Sequence, residues 1–186
     1  MASNPEPVSV LFVCLGNICR STMAEGIFRA IVSQPPYRSL ISVVDSCGTG
    51  AYHVGSSPDS RTLSTLADNG ITDYRHAARK ASPFYYFSMS SSLPIDVSDF
   101  STFDFIFAMD RDNLRDLQRL QQRSGGKAKA KVMLFGEYAG RKGAKEKVEE
   151  VDDPYYGGRD GFEAAYEQCT RFSTNFLKDV FPDVEA

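Results

Sequence analysis

Val8-Ser9-Val10-Leu11-Phe12-Val13-Cys14-Leu15-Gly16-Asn17-Ile18-Cys19-Arg20-Ser21-Thr22 begins as a strand and ends inside a helix. Val8 to Val13 is a nearly continuous apolar run, rich in β-branched residues, as expected of a strand buried on both faces of a parallel sheet. Met23, Ala24, Ile27, Phe28 and Ile31 then recur at helical spacing, which lays one stripe of a helix back on that strand. A short loop joins the two. Cysteine 14 leaves the strand and Arg20 enters the helix six positions later.

Such a loop aims several backbone N–H groups at one point, and the helix dipole adds partial positive charge there. A phosphate-sized dianion fits that cradle. Gly16 lets the backbone approach closely, and Asn17 tolerates the left-handed conformation that turns amides inward. Arg20 offers a planar fork to two equatorial oxygens. The same field favours the thiolate of Cys14, which then stands as a nucleophile beneath an electrophilic phosphorus. Ser21 is placed to donate a hydrogen bond to the sulfur. The run lacks GxxxxGK[ST], which excludes a nucleotide-binding P-loop.

Outward from the loop, strands and helices alternate. Pro35-Pro36 closes the first helix. Leu40 to Val44 reads as a second strand and Asp45 to Pro58 as a loop rich in glycine and serine. Asp59 to Asn69 reads as a helix stopped by Asn69-Gly70. Phe103 to Met109 is a third strand, Asp110 to Gln122 a helix with Asp110 at its N-cap, and Val132 to Phe135 a fourth strand. Glu137 to Glu150 is a charged loop. Asp152-Asp153-Pro154-Tyr155-Tyr156-Gly157-Gly158 precedes a last helix from Asp160, with Phe162, Ala165, Cys169, Phe172 and Phe176 inward. The alternation predicts an α/β class with a parallel sheet, ligand at the carboxyl ends of its strands.

The chain has 186 residues, which predicts one domain over 1–186 with a core that needs no staples. A net charge of -3 argues against nucleic acid or an anionic membrane as the main partner. Four cysteines and two histidines, without a zinc-type spacing, argue against a disulfide scaffold or a structural metal. No apolar run reaches the ~20 residues of a membrane span, and Met1 to Pro7 is polar, so the expected setting is the cytoplasm.

Cys14-Leu15-Gly16-Asn17-Ile18-Cys19-Arg20-Ser21 resembles the signature of the low-molecular-weight protein tyrosine phosphatases, and the likeness runs to the Asp153-Pro154-Tyr155-Tyr156-Gly157 segment and the last helix. The resemblance implies a three-layer, Rossmann-like α/β fold, with a four-stranded parallel sheet flanked by helices. It implies cleavage of phosphotyrosine, and of small aryl phosphates in the manner of an acid phosphatase, through a phosphocysteine intermediate. Cys14, Arg20 and Asp153 would be catalytic, and Leu15 to Cys19 with Ser21 would form the phosphate loop.

A departing aryl oxygen needs a proton, and a carboxylic acid supplies it and later deprotonates the attacking water. The family's acid directly precedes the proline, which selects Asp153; Asp152 is the rival by adjacency. The family further implies that Ser21, Ser46 and His76 hold Asn17 in its backbone conformation. Tyr52, Tyr155 and Tyr156 would wall a pocket deep enough for phosphotyrosine, with Leu15 and Ile18 on the same rim. Cys19 matches the family's second loop cysteine, able to capture an oxidised Cys14 as a reversible disulfide. No metal or organic cofactor is expected, because Arg20 and the loop amides supply the positive charge. The expected partners are phosphotyrosine proteins or small aryl phosphates, and the expected state is a monomer, with a weak dimer as the alternative.

One stretch departs from the family. Residues 83–98, aromatic from Phe84 to Phe87 and then serine-rich, read as an insertion before the third strand. Two other activities compete. An arsenate reductase shares the loop but needs a cysteine relay, and Cys47 and Cys169 do not form a close pair in sequence. A phosphoarginine phosphatase is the other.

Overall fold

The computed structural model describes residues 6–78, 95–124, 128–140 and 148–184. Four strands form one parallel sheet: β1 (Val8–Cys14), β2 (Ile41–Gly48), β3 (Phe105–Ala108) and β4 (Lys131–Leu134). Their order is β2-β1-β3-β4. β1 therefore has a neighbour on each side, and the connections diverge from it. That divergence opens a crevice at its carboxyl end, where Cys14 lies.

Period-two alternation along β1 builds two cores. Val10, Phe12 and Cys14 face α1 (Arg20–Val32), α2 (Ser60–Asp68) and α5 (Arg159–Val180). Leu11 and Val13 face α3 (Asp99–Thr102) and α4 (Arg111–Gln122). Helices thus cover both faces of the sheet, the three-layer arrangement expected. The first core is strongly aromatic. Phe12, Phe28, Phe107, Phe135, Phe172 and Phe176 are wholly buried, mostly in tilted or edge-on pairs such as Phe107 and Phe176 at 5.1 Å. Each such ring contributes about 1.5–3 kcal/mol by burial.

Asp110 is the cap the sequence predicts, and Asp59, read from the sequence as the first residue of its helix, is the cap of α2 instead. Asp59 accepts from the N–H of Arg61 (2.8 Å) and Asp110 from that of Asn113 (2.7 Å). Gly70, at φ +84°, stops α2. The second strand is longer than expected. Asp45 to Gly48 pair with Leu11 to Cys14 rather than looping away, and this ladder carries β2 alongside the phosphate loop. The third strand is shorter, because Phe103 belongs to the turn after α3, a helix the sequence did not predict. Residues 83–94 of the expected insertion lie outside the described residues. Of its remainder, Ile95 is buried in the second core. No helix among the described residues is long and apolar enough to cross a membrane.

Candidate active site

The loop after β1 is wound around the Cys14 sulfur. Asn17 sits at φ 55°, the only non-glycine residue with positive φ among the described residues. That turn points the Asn17 N–H at Cys14 Sγ (3.3 Å), and Ser21 Oγ lies 3.1 Å from the same sulfur. Helix α1 begins at Arg20 with no side-chain cap and no acidic residue in its first turn. Its first N–H groups and its positive dipole end are therefore left for an anion.

The left-handed turn at Asn17 is uncommon for a residue with a side chain, and a buried network holds it. The Asn17 amide donates to Ser21 Oγ (3.0 Å) and Ser46 Oγ (2.8 Å), while its oxygen faces His76 Nε2 at 3.0 Å. Ser21, Ser46 and His76 therefore converge on Asn17, as the resemblance implied. Behind them lies Glu25, absent from the sequence reading. Its wholly buried Oε2 accepts from Ser46 Oγ (2.7 Å) and Tyr74 OH (2.8 Å) and faces His76 Nδ1 (3.0 Å). Burial would raise its carboxyl, but the hydrogen bonds from His76 and Ser46 outweigh burial and hold it below the usual carboxylate range. Glu25 stands one helical turn after Ser21, so the same face carries both. That spacing was the available signal, hidden inside an apolar stripe.

Arg20 is almost fully buried and anchored on three sides. Nη1 pairs with Asp110 and donates to the Val151 carbonyl (3.2 Å), and Nη2 pairs with Asp153 Oδ2 (3.2 Å). Burial would lower its affinity for the proton, but the Cys14 thiolate, Asp110 and Asp153 outweigh that and raise it. The sequence marked Asp110 only as a helix cap. In the fold its second carboxylate oxygen also aims the guanidinium.

Asp153 reaches the site through a tight turn. It caps the 3₁₀ turn Pro154–Tyr156, accepting from the Tyr155 N–H at 3.1 Å. A pocket of about 380 Å³ brings together Cys14, Leu15, Gly16, Ile18, Cys19, Arg20, Tyr52, His53, Asp153, Tyr155 and Tyr156. Asp152, the rival acid, is not on its lining. The three tyrosines expected at the rim are all there; Tyr156 is 91% and Tyr52 78% exposed, as rings waiting on a mouth would be. His53 was not foreseen. The edge of its ring comes within 3.0 Å of where a Cβ on Gly16 would sit, so a side chain at that loop position would crowd the rim histidine.

Cys19 is buried at the start of α1, and burial, with Asp59, Cys14 and Asp153 nearby, pushes its thiol up to about 12. Cys47 and Cys169 are fully buried, and burial pushes Cys169 likewise to about 12. A larger groove of about 710 Å³ beside β4 and the end of α5 holds none of these residues.

Comparison with known proteins identifies the family. The family model described as low molecular weight phosphotyrosine protein phosphatase matches residues 9–186. A low molecular weight phosphotyrosine protein phosphatase of Schizosaccharomyces pombe is 50% identical over 173 residues, 93% of this chain and 97% of its own. The Homo sapiens protein of the same name is 40% identical over 170 residues, 91% of this chain and 94% of its own. Among solved structures, the drosophila arginine phosphatase DARP superimposes with a TM-score of 0.73 at 34% identity, covering 92% of this chain and 97% of that one. With the signature loop intact and the match spanning nearly its whole length, the chain belongs to the low molecular weight phosphotyrosine protein phosphatase family.

Proposed function

We propose that this chain hydrolyses phosphotyrosine, and small aryl phosphates, through a phosphocysteine intermediate. The observation that carries the reading is the convergence on one pocket of Cys14, Arg20 and Asp153, with Ser21 Oγ and the Asn17 N–H on the sulfur. The substrate phosphate sits in the cradle of loop amides, and its equatorial oxygens take the Arg20 fork. The Cys14 thiolate attacks phosphorus, forming the S–P bond as the P–O bond to the aryl group breaks. Asp153 passes its proton to the departing oxygen. Water then attacks, Asp153 takes the water's proton, and the S–P bond breaks. Ser21 Oγ and the Asn17 N–H stabilise the returning thiolate.

Arg20 Nη2, now on Asp153, is the group the phosphate would take. Phosphate arrival thus releases the Asp153 carboxylate from its ion pair, and it takes up from solvent the proton that it then passes to the leaving oxygen. The tyrosines at the rim favour a flat aryl group over a short aliphatic one. Serving the same chemistry, Ser46, His76 and Glu25 keep the loop wound. We further propose that peroxide converts the Cys14 thiolate to a sulfenic acid, and that the Cys19 thiol displaces water from it to close a disulfide that an added thiol reopens.

The test is hydrolysis of p-nitrophenyl phosphate and a phosphotyrosine peptide by wild type, Cys14→Ser and Asp153→Ala. Cys14→Ser is expected to abolish turnover, and retained activity would sink the mechanism. The DARP name, on a structure 34% identical, favours a second reading, cleavage of phosphoarginine. A phosphoarginine peptide assayed beside the phosphotyrosine peptide separates them. Arsenate reduction is disfavoured by the burial of Cys47 and Cys169, which leaves no exposed thiol to pass a disulfide outward.

A further inference from the structure

Between the phosphate loop and the Asp153 turn lies a charged side chain that the proposed chemistry does not use. Arg61 is the second residue of α2. The N–H of Asp59, the cap of that helix, donates to the Ile18 carbonyl of the phosphate loop at 2.8 Å. The Asp59 carboxylate in turn takes the Arg61 side chain in a fork, Nε at 3.0 Å and Nη2 at 2.9 Å. The third nitrogen, Nη1, donates to the Tyr155 carbonyl at 3.1 Å. The guanidinium also lies over two rings, 5.4 Å from the Tyr155 centroid and 4.6 Å from that of Phe162, which is wholly buried on α5. Tyr155, finally, gives its own N–H to Asp153 Oδ1.

These contacts form one continuous chain of links: Ile18, Asp59, Arg61, Tyr155, Asp153. We infer that Arg61 is a positioning residue that sets the Asp153 turn, and the Tyr155 wall with it, in register with the phosphate loop. The inference rests on Asp153 being the acid of the proposed mechanism. Apart from Arg20 Nη2, which the substrate phosphate would claim, the Asp153 carboxylate is held, among the described residues, by the Tyr155 N–H of its own turn. That turn then needs an anchor elsewhere, and Arg61 is the side chain that grips it from the phosphate-loop side. A lysine does not replace it, since a single ammonium cannot fork Asp59, reach the Tyr155 carbonyl and stack on two rings together.

The effect to read is selective. Misplacing an acid matters most for a leaving group that is a strong base, and little for one that leaves as a stable anion. Phenol, titrating at ~10 like tyrosine, is the demanding case, and p-nitrophenol the easy one. Arg61→Ala, Arg61→Lys, Asp153→Ala and the Arg61→Ala/Asp153→Ala double variant are compared on phenyl phosphate and p-nitrophenyl phosphate, with inorganic phosphate as competitive inhibitor. Arg61→Ala is expected to lower kcat/KM about tenfold on phenyl phosphate and less than about threefold on p-nitrophenyl phosphate, a fraction of what a fully lost acid costs. The phosphate inhibition constant stays within about twofold, because the loop that binds the anion is untouched. In the Asp153→Ala background the Arg61 change adds nothing.

An equal fall on both substrates, no fall on either, or additivity in the double variant overturns the inference. Should Arg61→Ala fail to fold, Arg61→Lys keeps the charge and is read by the same ratio. If Asp153→Ala itself shows no leaving-group selectivity, the reading of Asp153 as acid fails and the inference with it. If Asp153→Ala is selective and the Arg61 variants are not, the inference alone fails.

Discussion

Replacing Glu25 by glutamine tests whether a buried carboxylate holds the phosphate loop in shape. One of its oxygens receives three partners at 2.7–3.0 Å, Ser46, Tyr74 and His76, and the other lies 2.8 Å from Arg29 Nη2. Hydrogen bonds to a charged acceptor contribute about 1.5–3 kcal/mol and neutral ones about 0.5–1.5, so each of the three bonds loses about 1 kcal/mol in Glu25→Gln. The Arg29 pair adds only about 0.3–0.5 kcal/mol, since Arg29 is half exposed and the pair is an i,i+4 one. The sum is about 3 kcal/mol. For a chain of this size that is a fall in Tm of about 6–12 °C, measured by thermal unfolding at pH 7.

The pH dependence has a fixed sign. Glu25 is held below the usual carboxylate range in the fold. Its contribution is therefore complete above the unfolded value of ~4.3 and is lost as pH falls through the lower folded value. The stability gap between wild type and Glu25→Gln should narrow as pH falls below about 4. Phosphate inhibition should weaken in the variant, as Asn17 loses its His76 and Ser46 supports. A gap under about 1 kcal/mol at pH 7, well short of the three charged bonds, or one that does not narrow in acid, would refute the argument.

Other outcomes follow from the same geometry. Arg20→Lys should fold yet lose about 10²–10³ in kcat/KM on p-nitrophenyl phosphate, because one ammonium cannot hold Asp110, the Val151 carbonyl and phosphate together. Equal activity would remove the fork from the mechanism. Because the Cys19 thiol is pushed up to about 12, its thiolate fraction rises about tenfold per pH unit below that value, and closure of the disulfide after peroxide should accelerate in step. Free-thiol counts after a quench report the rate, and a flat profile between pH 7 and 9 would exclude Cys19 as the resolving thiol. Phe107→Ala should cost about 3–5 kcal/mol in urea unfolding, from the emptied centre of the aromatic core. Activity per folded molecule should be nearly unchanged.

Local chemistry explains what was legible in the sequence. The apolar run to Val13, the helical stripe from Met23 and the cap at Asp110 are set by side-chain spacing and short-range hydrogen bonds. All survive in the structure. The loop from Cys14 to Ser21 is short enough that its turn is marked by Gly16, Asn17 and the helix start, though residues from outside the loop hold that turn in place. Edges were harder to read. Asp45 to Gly48 contains residues poor in strand propensity, and pairing with β1 overrides that preference. Glu25 was hidden because a carboxylate in an apolar stripe is stable only when donors arrive from β2 and from the segment holding Tyr74 and His76. Spacing within α1 carries no sign of them.

The sequence by itself determined the sheet-and-helix class, the anion cradle and the nucleophile at the end of β1, because each is written in contiguous residues. Only the tertiary structure decided what surrounds them. It brought Asp153 across 133 residues to 3.2 Å from Arg20, set Asp110 and Val151 behind that guanidinium, and closed Glu25, Ser46, Tyr74 and His76 around Asn17. It also hung the Asp153 turn on Arg61. The division has a physical cause: a loop's backbone answers to its own residues, whereas the field and the hydrogen bonds at its centre come from whichever elements the core packs beside it.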